Sequence, residues 1–340
     1  MNKLIHKGLL WKEWRQNKGY LLAAFILLAY FPLFKPLGII FFKGLISLPV
    51  RQMSVTYNEL YRWSNDMQMI MANTSSNSFI PVTIVGLVLL GAIVLGEERK
   101  GSIDYLVTTP VSRAEIIINK YLLGLGAVVV AVLLNTWFLL LLKWGFFSSI
   151  AYQYEEVLWW AMVIGALYIA IYSLAFMVST FSGNVLAAGV FTGFLMLLPT
   201  LIQTILMDIV SLTGPAYKTA GMTEKIFSYL YITSYLDAHS QINYHLGILL
   251  LLILAGLFLL LSIKIFTINP LEKKGELFLF GNFKHMGQIF IAFMSAFFHA
   301  TTNAESILNM ILLFIFYFLM VYIVIGLIYW LLSYLRVGIK

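Results

Sequence analysis

Long uncharged runs alternate along the chain with short polar ones. Runs at 79–95, 122–142, 157–178, 185–207, 246–263 and 307–335 are apolar almost throughout. A helix that crosses hydrocarbon needs about 20 such residues, because lipid cannot satisfy exposed backbone groups. Two further runs are weaker. Residues 19–34 are few and end at Lys35, between Pro32 and Pro36, and residues 286–304 are uncharged but only moderately apolar. The pattern predicts an all-α polytopic bundle of six to eight transmembrane helices, with eight as the count the loops favour.

Composition agrees with that pattern. The chain of 340 residues is 61% hydrophobic and 11% charged, whereas a soluble domain carries about 25% charged residues. Lys and Arg in short loops stay on the cytoplasmic side of a membrane. With eight spans and both termini inside, fifteen of the 22 Lys and Arg residues fall in cytoplasmic segments. Dropping one weak span would reverse every later loop. The net charge of +7 then comes from loops facing an anionic leaflet, and nucleic acid is not an expected partner because the basic residues gather on no single soluble face. Eighteen residues precede the first apolar run and no A-x-A-like site closes it, so this N-terminus is expected to be retained rather than cleaved as a signal. There is no cysteine, which excludes thiolate metal sites, disulfides and palmitoylation.

Residues 96–120, GEERKGSIDYLVTTPVSRAEIIINK, carry eight formal charges between the second and third apolar runs. Gly101 can end one helix, and Ser102 can cap a short new one through Leu106 until Pro110 breaks it. Ser112-Arg113-Ala114-Glu115 has the form of a capping box that opens the next helix. Ile103, Leu106 and Val107 recur at helical spacing, so the short helix has one apolar face, suited either to lipid or to a partner.

The order Glu97, Gly101, Ser102, Asp104, Leu106, Pro110, Val111, Ser112, Arg113 and Lys120, placed after the second span, resembles the cytoplasmic signature of ABC-2 type permeases, the membrane subunits of many ABC exporters. Residues 9–18, LLWKEWRQNK, resemble the basic interfacial helix before the first span in that family. The resemblance implies an N-terminal interfacial helix at 1–18 and a six-helix domain at 19–267 with a coupling segment at 97–120, and the charge count places the segments at 43–78 and 208–245 outside. The resemblance also implies a C-terminal extension at 268–340 with two more membrane helices, as in a bacterial subgroup with an enlarged C-terminus. The 102–107 helix would dock on an ABC ATP-binding subunit, with Glu97, Gly101, Ser102, Ile103, Asp104, Tyr105, Leu106, Pro110, Ser112 and Arg113 as the partner-binding residues. A second permease subunit, identical or related, completes such transporters. ATP and Mg belong on the partner, and no cofactor is expected in this chain. No G-x-x-x-x-G-K-[ST] loop occurs in it, and Gly is nowhere followed by Lys. The expected product is a non-catalytic permease in a bacterial plasma membrane, exporting a hydrophobic or amphipathic cargo.

A secondary carrier and a membrane enzyme are the competing classes. Ion-coupled carriers place ionisable residues at membrane depth, and the six stronger runs contain none. Lys35, beside two prolines, reads as interfacial. Asn135, Gln203 and Asn309 read as interhelical hydrogen-bonding amides. His239 and His245, six residues apart near Asp237, do not share a helical face as metal ligands would. Trp11, Trp14, Trp144, Trp159, Trp160 and Trp330 fall at predicted span ends, where such rings anchor helices at headgroup level.

Overall fold

The computed structural model describes residues 7–44, 50–71, 79–96, 111–145, 150–182, 184–213, 225, 227–230, 235, 243–268, 281–303 and 307–337. Among them the regular elements are helical: α1 (Lys7–Ala29), α2 (Val50–Met71), α3 (Phe79–Gly96), α4 (Arg113–Gly145), α5 (Tyr154–Phe181), α6 (Val185–Thr213), α7 (Tyr244–Ile268), α8 (Gly281–Asn303) and α9 (Ile307–Val337). The six stronger runs each lie within one of these helices, the run at 19–34 crosses from α1 into the π-helical stretch that follows it, and the described part of the run at 286–304 lies in α8. Five described stretches are long and apolar enough to cross a membrane: Lys7–Phe41, Arg113–Gly145, Tyr154–Phe181, Tyr244–Ile268 and Leu308–Ile328. Val82–Leu95, Val185–Thr200 and Ile291–Ala300 are shorter apolar helices.

The run at 19–34, weak in sequence, belongs to the longest of these stretches. After α1 the chain continues through a π-helical stretch Tyr30–Phe34, a single α turn Lys35–Gly38 and a second π-helical stretch Ile39–Gly44. Pro32 has no N–H to offer the Leu28 carbonyl, and the Asn135 side-chain amide of α4 donates to that oxygen at 3.2 Å. In the wider π register Pro36 would face the Phe31 carbonyl, which accepts the Trp63 indole N–H of α2 at 3.1 Å. Prolines persist in membrane helices where neighbours supply the missing donors, so a break expected at Lys35 becomes a continuation. Asn135 thereby acts as the interhelical amide the sequence suggested.

Two compact units divide the chain. One comprises Met1–Gly193 with Ile232–Glu276, the other Phe194–Tyr231 with Leu277–Lys340. Within the first, polar pairs fix helix directions. Glu13 bonds Lys120 and Leu28 bonds Asn135. These contacts lie fifteen residues apart on each helix, so α1 and α4 run parallel over about 22 Å. Between α4 and α5, Tyr121 meets Ser173 while the Leu139 carbonyl meets the Tyr152 hydroxyl just before α5, which makes that pair antiparallel. Ser179 donates to the Ala92 carbonyl, and Tyr168 bonds Thr83, so α3 runs parallel to α5. His245 at the start of α7 packs edge-on against Trp159, and Thr267 near its end meets Arg113. One end of this unit therefore gathers the N-terminal half of α1, the end of α3, the start of α4 and the end of α7.

Close packing at glycine supports these pairings. A Cβ at Gly91 of α3 would stand 2.6 Å from the Ala175 Cβ and 2.9 Å from the Phe176 backbone nitrogen. One at Gly124 of α4 would collide with the Tyr172 hydroxyl, which donates to the Tyr121 carbonyl. In the second unit, α8 and α9 share an aromatic ladder that includes Phe293, Phe297 and Phe314, and Gln288 donates to the Tyr322 carbonyl.

Of the six tryptophans read as span-end anchors, Trp11, Trp14, Trp144, Trp159 and Trp330 are exposed, but Trp160 is buried. Neighbouring helical residues point about 100° apart. With Trp159 outward, Trp160 turns into the packed face.

Candidate functional site

The chain leaves α3 at Gly96 and re-enters at Arg113, so both ends of the charged segment are in view. Glu97, Gly101, Ser102, Ile103, Asp104, Tyr105, Leu106 and Pro110 lie outside the described residues. Ser112 and Arg113 lie inside them, and both are engaged within the chain.

The Ser112 hydroxyl accepts the Glu115 N–H at 3.2 Å, and the Glu115 carboxylate accepts the Ser112 N–H at 2.8 Å. The capping box predicted from four letters of sequence therefore forms, and it fixes where α4 starts. Arg113 reaches across to α7 and donates to the Thr267 carbonyl at 3.2 Å. Carbonyls in a helix's last turn lack intrahelical donors, so a guanidinium there satisfies one of them and complements the dipole. Val111 packs against a small apolar cluster of Leu9 and Ile116, which joins the segment's end to α1.

One turn further along α4 is the feature that sequence reasoning missed. Lys120 Nζ lies 2.7 Å from Glu13 Oε2, and neither side chain has any exposed surface. Asn17 donates to the same carboxylate oxygen at 3.3 Å and to the Glu13 carbonyl at 3.1 Å. Lys120 also approaches the Val94 carbonyl, in the last turn of α3, at 3.5 Å. Asn119 donates to the Glu115 carbonyl at 2.7 Å. A buried pair of opposite charges thus links α1 to α4 beside the end of α3, the helix that leads into the segment. The signal was present: Leu9, Glu13, Asn17, Leu21, Ala24 and Leu28 are buried at spacings of three and four, and Glu13 is the one acidic residue in the first eighteen. That stripe turns the basic face, with Trp11, Trp14 and Arg15, outward. Residues 7–18, expected as an interfacial helix, are the first turns of an uninterrupted α1.

The opposite end of the unit carries its own polar joints. Lys143 donates to the Ile150 carbonyl at 2.8 Å, and Gln68 of α2 donates to Glu156 at 3.2 Å. The Tyr152 phenol is buried and donates to Leu139, and burial raises its pKa above the ordinary tyrosine value. No group of His, Asp or Glu able to hold a metal ion occurs among the described residues.

Apolar helices long enough to span a bilayer, with the exit of the charged segment tied to α7 and α1, define the architecture of a polytopic helical membrane protein. The chain belongs to the ABC-2 family of transporter proteins, whose family model matches residues 9–271. It is 25% identical over 301 residues, covering 85% of this chain and 86% of the other, to a protein of Bacillus subtilis (strain 168) named "Probable ABC transporter permease YtrC".

Proposed function

We propose that this chain is the permease subunit of an ABC exporter, driven by ATP hydrolysis on a separate ATP-binding subunit that docks on residues 102–107. Ile103, Tyr105 and Leu106 supply the apolar knob, and Glu97 and Asp104 offer charges to basic residues of the partner. ATP and Mg sit on that partner. A second permease subunit, identical or related, completes the pathway for a hydrophobic or amphipathic cargo, and both termini face the cytoplasm of a bacterial cell.

The observation that carries this proposal is the clamp at the segment's exit. A push delivered to residues 102–107 passes Pro110 and enters α4 at a capped start, where Arg113 holds α7 and Lys120 holds Glu13 of α1. A loop that merely rests on lipid has no need of a rigid joint to three helices.

The test is affinity purification of the full chain from its own cell membrane, wild type against Leu106→Asp, with both checked for equal insertion. Wild type should bring down the ATP-binding subunit at fixed stoichiometry with ATPase activity. The charged variant should lose it, because burying an apolar contact of this size contributes about 1–3 kcal/mol and an unpaired buried carboxylate costs more. Equal recovery of the partner by Leu106→Asp would remove the coupling role from this segment.

A further inference from the structure

The first turns of α1 present a basic and aromatic face to their surroundings. Lys7, Trp11, Trp14 and Lys18 stand at positions i, i+4, i+7 and i+11, and all four are exposed, as is Arg15 beside them. The described carboxylates at this end are turned away from that face. Glu13 is buried on the other side of α1 against Lys120, and Glu115 is buried in the capping box of α4. Arg15 packs over the Trp11 ring, 5.4 Å from its centre, and among the described residues neither it nor Lys7 nor Lys18 has an ion-pair partner. Lys12, half-buried and engaged elsewhere in the chain, does not belong to this group. One turn beyond Lys18 the same face becomes apolar. Leu22 and Ile26 continue the line of Arg15 and Lys18 and are exposed, and no charge follows before Lys35.

We infer that this face of α1 binds an anionic phospholipid, with the phosphate between Arg15 and Lys18, the headgroup flanked by Trp11 and Trp14, and an acyl chain along Leu22 and Ile26. Charge selects the sign of the ligand. Three cations with no carboxylate among them favour a net negative group, and a zwitterionic lipid would bring its ammonium against them. A guanidinium fork suits phosphate oxygens in particular. The order of side chains along the helix selects the kind of ligand. Arg15 and Lys18 lie three residues apart on one turn, and Leu22 and Ile26 rise about 6 Å and 12 Å beyond Lys18. A molecule that satisfies the whole face therefore needs a phosphate and a long apolar tail on the same side of it. A soluble phosphate lacks the tail, and an acidic protein surface would leave Leu22 and Ile26 uncovered. Long basic side chains reach along a helix toward headgroups, and exposed tryptophan rings settle at that level. This site stands whether or not an ATP-binding subunit docks.

The experiment uses the full chain in detergent and counts bound lipids by native mass spectrometry as dioleoyl phosphatidylglycerol is titrated. Dioleoyl phosphatidylcholine, with the same chains but no net charge, and glycerol 3-phosphate, with the phosphate but no chains, are run alongside. Saturable binding of phosphatidylglycerol is expected, with both comparison compounds weaker by about tenfold or more, the effect of two basic side chains or of the lost apolar contact. Arg15→Gln with Lys18→Gln should weaken phosphatidylglycerol by about tenfold or more, to the level of phosphatidylcholine. Lys225→Gln with Lys264→Gln removes the same charge from two exposed lysines elsewhere and should bind as wild type. All four positions are exposed, and thermal unfolding checks that both variants are folded. The assignment is overturned if phosphatidylcholine binds as tightly as phosphatidylglycerol, or if the α1 variant keeps wild-type lipid affinity; loss of a co-purifying protein by that variant would then give the face to an acidic partner. Equal losses in the two double variants would also overturn it, since net charge rather than this face would then hold the lipid. Glycerol 3-phosphate matching the lipid would make the ligand a soluble phosphate and overturn it too.

Discussion

Replacing Lys120 with Met removes the cationic half of the Glu13–Lys120 pair while keeping an unbranched side chain of similar length. The two charged atoms lie 2.7 Å apart with no exposed surface on either side chain. At an effective dielectric of about 20 their attraction is roughly 6 kcal/mol, and it offsets a desolvation penalty of several kcal/mol per ion. Deleting one partner leaves the other charge buried, which typically costs about 3–5 kcal/mol. For a chain of this size that corresponds to a fall in Tm on the order of 10 °C. Replacing both, as Glu13→Leu with Lys120→Met, removes attraction and penalty together and should recover most of the loss. Asn17 would still keep its bond to the residue-13 carbonyl. The assay is tryptophan fluorescence on heating the detergent-solubilised full chain for wild type, both single variants and the double. The reasoning is refuted if Lys120→Met melts within about 2 °C of wild type. It is equally refuted if the double variant is less stable than either single, since the two sites would then be adding independently.

Gly91→Ala should destabilise by about 1–3 kcal/mol, because its Cβ would press on the α5 backbone at Phe176. Gly126→Ala, with open space around it, should be neutral or gain up to about 1 kcal/mol from helix propensity, and the same melting assay separates them. Single cysteines at Asn65, Ser102, Thr219, Lys274 and Thr302, introduced into a chain that has none, should react with an impermeant reagent in intact cells at Asn65, Thr219 and Thr302 only. Labelling at Ser102 or Lys274 would contradict the orientation proposed.

The helices were legible because hydrophobic run length is a one-dimensional signal, and each of the six stronger runs falls in a single helix. The capping box was legible for the same reason, since Ser112 and Glu115 are three residues apart in sequence and bond each other's backbone N–H. What escaped were features that depend on a second helix. Glu13 in a basic segment drew no notice and Lys120 was read only as the last residue of the signature, and it is the parallel register of α1 and α4 that makes them a pair. Trp160 was misassigned because position along the chain places a residue near a span end without telling which way it points. Pro32 and Pro36 were read as a stop because the donors that compensate them, Asn135 and Trp63, come from 103 and 27 residues downstream respectively.

Those two borrowed donors mean that the far reach of the first helix does not determine its own shape. Its backbone is completed by α4 on one side and by α2 on the other, so its curvature records the separation of those two helices at any moment. Sliding α4 along its axis would withdraw the amide from Leu28, and lifting α2 would withdraw the indole from Phe31. Either displacement would leave a carbonyl seeking a new partner and would re-form the stretch around it. Geometry at this end of the unit is thus held jointly, like a knot tied from three ropes, and a displacement begun at the start of α4 has a route to the far end of α1 that needs no bending of α4 itself.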